Sequence, residues 1–279
     1  MRKVKYRNSI GQELYFGNCG GMFVESIDTE GLQGRFATEQ LAFVAGQKTL
    51  DRSAGARAVP AEFAYRNVSP AVLDTAREIF SPLYSGTLTV ITENGEEYSI
   101  DVTPSANVQP KKADVPYIYK QSIDFVADDP FWRRGSRRSV SLSVDTSESV
   151  SSDSKIVNYT GTVKSPLYIH IAANEEGTGR APIYFQIFEG DQQISSLMRN
   201  QLYIKSGAYP TEDIYIDCET LEIKNGAGDD RSIMIDSSYD IGALFLTHGK
   251  NLIRCAVTNQ GTADIEIGYY RLHQGVPEW

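Results

Sequence analysis

The second half of the chain restricts the fold more than any other feature. From residue 166 onward, PLYIHIA, APIYFQIFEG, QLYIKSG, DIYIDCETLEIKNG, RSIMIDS, NLIRCAV and ADIEIGYYRL follow one another between Gly, Asn, Asp and Ser. Each has the length of a strand, and several alternate apolar with polar residues, as at Ile214, Ile216 and Cys218. A period of two places every second side chain on one sheet face, so each segment buries one face and wets the other. Many short strands broken by turn residues predict a sandwich of the jelly-roll type.

The first half is also mainly β, with one helix. Ser69 is placed to cap it and Pro70 suits the first helical position. Val72, Ala76, Ile79, Phe80 and Leu83 then recur every three to four residues until Pro82 limits the helix. Leu88 and Val90 alternate before Asn94-Gly95, and Tyr98, Ile100 and Val102 alternate after it. Asn-Gly accepts the positive φ angles of a type I′ turn, so this stretch predicts a hairpin. ELYFG, AEFAYRN and SIDFVA are further strands. Residues 18–57 are rich in glycine and small side chains without a sustained period, which predicts a long functional loop or arm. SVDTSESVSSDSK, residues 143–155, replaces hydrophobes with serine and charge and predicts an exposed linker or loop. The expected division is therefore 1–142, a linker at 143–155, and 156–279, an ordinary size for two domains.

Charge narrows the function. The net charge is −9. Residues 1–135 carry 15 Lys plus Arg against 17 Asp plus Glu, and the remainder 12 against 19, so the acidity belongs to the second half. A nucleic-acid binder normally presents a basic surface, and sequence-specific DNA or RNA recognition is not expected. No run nears the ~18 apolar residues of a membrane span. The basic start MRKVKYRNSIGQELYF lacks the apolar core of a secretory signal, so synthesis in a cytoplasm is expected.

No catalytic constellation emerges. GQKT at 46–49 has Leu41 where a phosphate-binding loop needs its first glycine. His170, His248 and His273 are too far apart for a local metal motif, and Cys19, Cys218 and Cys255 form no C-x-x-C pair. GAGDDRS, 226–232, lacks the alternating acidic spacing of a calcium loop and reads as a solvated turn. No enzyme, metal or cofactor is expected. Tyrosines on a β-sandwich can also stack on sugar rings, and Tyr168, Tyr184, Tyr203, Tyr209, Tyr215, Tyr269 and Tyr270 are candidates. Of these, Tyr209 and Tyr270 are the expected sugar contacts.

The fourteen residues SIDFVADDPFWRRG, 122–135, combine alternation, two carboxylates, a proline, two aromatics and two arginines. Ile123 and Phe125 alternate as a half-buried strand should, and Pro130 removes a ladder donor. Asp128 and Asp129 as neighbouring strand residues would face opposite sides and share no substrate. Asp129, Pro130, Phe131 and Trp132 therefore read as an interdomain joint, with both aromatics anchored and Arg133 and Arg134 turned to solvent or to carboxylates.

Taken in order, a helix, an Asn-Gly hairpin, a strand running into DPFW and an all-β half resemble the distal tail proteins of long-tailed, non-contractile bacteriophages and prophages. GQKTLDRSAGARAVPAEFAY resembles that family's approach to an early strand, SIDFVADDPFWRRG its interdomain signature, and VNYTGTVKSPLYIHI with THGKNLIRCAV its carboxyl-terminal domain. The resemblance implies an amino-terminal β-sandwich with one helix, assembling as a homohexameric ring, and a galectin-like carboxyl-terminal β-sandwich. It implies a place at the virion tail tip, between the tail-tube protein and the tip or baseplate hub protein; whether the second domain contacts host-wall carbohydrate or only docks stays open, because its strand pattern is compatible with both. A carbohydrate-binding accessory or receptor-contacting protein is the alternative.

Overall fold

The computed structural model describes residues 3–17, 20–32, 34–40, 47–144, 150–173, 183–205, 212–235, 238–258 and 263–277. It is mainly β, with one α-helix. The chain divides into two compact units, Ser136–Leu272 and a first unit made of Met1–Gly135 together with His273–Trp279.

In the first unit, strands Glu13–Phe16, Lys3–Asn8, Gly86–Ile91 and Glu97–Pro104 lie side by side in that order. At Thr103 and Pro104 the sheet turns a corner onto Val126 and Phe125. It continues through strands Ile118–Ala127, Arg57–Arg66 and Met22–Ile27. The two halves enclose one core: Phe16 on the first half stacks on Phe63 of the second with ring centroids 4.1 Å apart. The helix Pro70–Ile79 closes this core with Ala76 and Ile79, followed directly by Phe80. Phe80 stacks against Phe63 at 5.5 Å and meets Tyr6 at 5.0 Å. Each such aromatic pair contributes about 0.5–1.5 kcal/mol beyond the area it buries.

Pro70 starts the helix as expected, but Ser69 makes no side-chain capping bond, and Leu83 lies past the helix end and is 83% exposed. The Asn94-Gly95 hairpin forms, although its turn differs from type I′. Only Gly95 has positive φ, and its N–H donates to Thr92 O while Thr92 N–H donates to Glu96 O. This is a three-residue loop ending in a left-handed glycine, a geometry that Asn-Gly also satisfies. The long 18–57 segment is largely paired. Met22–Ile27 joins the main sheet, and Gly34–Gln40 pairs antiparallel with Gln47–Ala54 as a separate two-stranded ribbon.

The second unit is a two-sheet sandwich. One sheet orders strands Arg138–Val144, Ala263–Tyr269, Tyr168–Ile171, Ile214–Asp217 and Glu222–Asn225. The other orders Val150–Tyr159, Gly249–Thr258, Ile183–Glu189 and Met198–Ile204. Inward residues of both sheets form one mostly aliphatic core. Within RSIMIDS, Ser232–Met234 is a 3-10 turn rather than a strand.

Among the described residues, both ends of the 143–155 segment expected as a linker or loop are paired as strand. Ser143 and Val144 end a strand of the first sheet, and residues 150–155 open a ten-residue strand of the second, paired from Val150↔Thr258 to Tyr159↔Gly249. Serine and charge there serve a strand with a wetted face, for which composition alone mimics a linker. The boundary expected at 142 accordingly moves to Gly135/Ser136, and the end of the chain returns to the first unit.

Candidate functional site

The 122–135 stretch lies at the first crossing between units. Ile123 and Phe125 are buried, as alternation requires, and the strand ends at Ala127. Asp128 and Asp129 follow it in a bend, so the strand geometry expected for them does not apply. Asp128 is exposed. The Asp129 carboxylate accepts from Phe131 N–H at 3.3 Å and from Arg133 Nη2 at 3.2 Å. This short-range turn redirects the chain, and Pro130 is buried beside it.

Trp132 is fully buried in the first unit's core, and its indole N–H donates to Thr29 O at 3.2 Å. Phe131 is only half-buried, so a single aromatic does the anchoring. Arg133 reaches Asp101 at 2.6 Å, Arg134 pairs with Glu96, and both take their place in a short strand against Ser99 and Tyr98. The arginines thus pin the exit of the chain to a neighbouring strand, the carboxylate option of the two expected.

The second crossing uses residues that the sequence did not single out. In the second unit, Tyr159 Oη accepts from Leu272 N–H at 3.0 Å and donates to Val163 O at 2.6 Å. In the first unit, His273 is buried edge-on to Tyr98 and Val276 enters the core. Arg57 is fully buried, and its Nη2 donates to Gln274 O. Burial pulls the Arg57 guanidinium below its ordinary pKa, and the charges of Asp28 and Asp129 partly offset this. A buried cation bound to a returning backbone carbonyl fixes the tail at one position, since releasing it would leave both groups poorly solvated. HQGVPEW carries no periodicity, so no local signal could reveal this return.

The other candidates disperse. Tyr209 and Gly46 lie outside the described residues, and Gln47–Ala54 is a strand where a phosphate loop would need a helix. Within GAGDDRS, Asp229 pairs with Arg231, which also makes a two-pronged contact with Glu212, while Asp230 caps Ser232. Cys218 and Cys255 are buried thiols pushed up to about 12 by desolvation. Among the described residues, no group of three or more His, Cys, Asp or Glu is placed to hold a metal, and no helix is long and apolar enough to cross a membrane. Tyr270 does belong to an aromatic group, standing edge-on to Tyr168 with centroids 5.9 Å apart. Tyr168 in turn lies on the outer face of the five-stranded sheet with His170 and Tyr215.

The fold is thus a β-unit with one helix that carries an all-β sandwich inserted between its joint and the segment that returns at His273. Such a chain is similar to the Dit protein (gp 19.1) of SPP1, described as a paradigm of the hub adsorption apparatus in Gram-positive-infecting phages. The superposition has a TM-score of 0.64 at 14% identity and covers 95% of this chain and 98% of that one. Baseplate structures of phage P2 in its activated conformation, with Ca and with Sr, align at TM-scores of 0.48 and 0.45 with 12% identity, over 96% of this chain and 98% of theirs. No family model and no curated protein matches the sequence. The likeness to the SPP1 protein is one of fold, and it agrees with the distal-tail resemblance carried by the ordered motifs.

Proposed function

We propose that this chain is a structural protein of a phage tail tip, forming a hexameric ring that connects the tail tube to the adsorption apparatus. The observation that carries this reading is the near end-to-end fold match to the SPP1 hub protein, inserted second unit included. A match of one sandwich alone would say little, because such folds host many functions. The ribbon of Gly34–Gln40 and Gln47–Ala54 adds support, since among the described residues its strands pair only with each other. A two-stranded ribbon is marginal alone. As an arm laid on the next copy it would fix the rotation that closes a ring. The first half, which would form the ring, carries no basic excess, with 15 Lys plus Arg against 17 Asp plus Glu over residues 1–135, and this suits a channel that passes DNA without holding it.

On this reading the joint anchors the chain where it leaves the first unit, and the chain acts as part of the virion rather than as an enzyme. Its partners are further copies of itself, the tail-tube protein and the tip or baseplate hub protein. The test is electron microscopy of the purified chain alone and mixed with its tail-tube protein. Six-fold rings stacked on tube ends support the reading. Monomers that never associate with tubes, together with normal tails in a strain lacking the chain, contradict it.

A further inference from the structure

The outer face of the five-stranded sheet holds a groove of about 240 Å³. Tyr168 and His170 point outward from one strand, while Ile169 and Ile171 point into the core. On the next strand Tyr215 sits directly opposite His170, and their rings stack in parallel, 6° apart with centroids at 4.6 Å. Tyr215 is nevertheless 44% exposed. Glu266 sits opposite His170 on its other side. Gly268, opposite Tyr168, leaves room that the Arg137 side chain occupies, since a Cβ there would lie 3.0 Å from Arg137 Cδ. The Arg137 guanidinium consequently stands 5.5 Å from the Tyr168 ring centroid.

We propose that this groove, lined by Arg137, Tyr168, His170, Tyr215, Asp217 and Glu266, binds a neutral sugar ring of a polysaccharide. Aromatic rings offer an apolar surface to the C–H face of a sugar, carboxylates accept hydrogen bonds from its hydroxyls, and a guanidinium donates to ring and hydroxyl oxygens. A mostly apolar concavity with a few convergent polar groups is the usual form of a small-ligand site, and this volume suits one or two sugar units rather than a large ligand. Charge decides against a phosphate-rich polymer: Asp217 and Glu266 line the groove with a single Arg137, and Asp213 stands 3.4 Å from His170, on the acidic half of the chain. The inference rests on the tail-tip reading only for the source of the glycan, a host surface.

Saturation-transfer NMR and calorimetry on the full chain test it, with neutral gluco-, galacto- and N-acetylglucosamine oligosaccharides as probes and poly(glycerol phosphate) as the polyanion. At least one neutral oligosaccharide should bind with a Kd of about 1 mM or tighter. Tyr215→Ala and Glu266→Gln should each weaken it about tenfold or more, while Tyr184→Ala, on the outer face of the other sheet, should leave it unchanged. No transfer from any neutral probe, tighter binding of poly(glycerol phosphate), or binding untouched by both groove variants overturns the proposal. Ring formation is read separately by microscopy. Lost glycan binding with intact rings sinks this inference alone, and intact binding without rings sinks the tail-tip reading alone.

Discussion

The two units use their aromatic residues in opposite ways. In the first, Tyr6, Phe16, Phe63, Tyr65, Phe80, Tyr98, Phe125 and Trp132 all lie in the core. The second builds its core from Ile, Leu and Val with few rings, and sets Tyr168, Tyr184, Tyr203 and Tyr215 on its outer sheet faces. Large rings inside give a corner-turning sheet enough apolar area to close around a single helix. Two sheets packed face to face interdigitate branched aliphatic side chains and need few rings inside. Tyrosine suits a wetted strand face, and on the groove proposal the outer face of the five-stranded sheet uses such rings for contact.

This contrast can be broken by experiment, most sharply at Trp132. Trp132→Ala should cost about 3–5 kcal/mol in denaturant unfolding of the first unit, because it removes a fully buried ring and orphans Thr29 O. An unchanged midpoint would remove the anchor. Arg57→Ala should cost about 2–3 kcal/mol and expose the tail, so that carboxypeptidase trims the variant but not the parent. A cut in a loop of the second unit should leave the fragments together on a native column, since residues on both sides of that unit are built into the first. Separation under native conditions would refute the return.

Alkaline pH should distinguish the units. Burial raises Cys218 and Cys255 from 9.0 to about 12, and Tyr6 from 10.0 to about 12. Unfolding releases these protons at the lower values. Stability is therefore full below the unfolded pKa and falls as pH rises through the folded one, by up to about 1.4 kcal/mol per unit for each group. The second unit should weaken from about pH 9 and the first from about pH 10, read by hydrogen exchange in each. The smallest effects belong to exposed positions: Tyr215→Ala and Asp128→Asn should each shift stability by less than about 1 kcal/mol.

How far the sequence revealed this depends on the range of each interaction. The Pro70 helix, the Asn94-Gly95 hairpin and the strand ending before Pro130 were legible because periodicity and turn chemistry act within a few residues. Trp132 was legible as an anchor because proline and aspartate mark the strand end beside it. Arg57 was not, since its role depends on Gln274, more than two hundred residues away. The outer-face groove was half legible. Tyr168 and Tyr215 stood among the candidate tyrosines, but selecting them needed the register that places His170 between Tyr215 and Glu266. Serine content misled at 150–155, because a strand wetted on one side has the composition of a linker or loop.

The central claim is that the first unit is closed by both ends of its chain, with the second unit carried as an insert. Ending the chain at Leu272 tests this most directly, with hydrogen exchange followed strand by strand. The expected result is lost protection in Ile118–Ala127, Arg57–Arg66 and Glu97–Pro104, because Arg57 loses Gln274, Tyr98 loses His273 and the core loses Val276, while the five-stranded sheet keeps its protection. Unchanged protection in those three strands would contradict it.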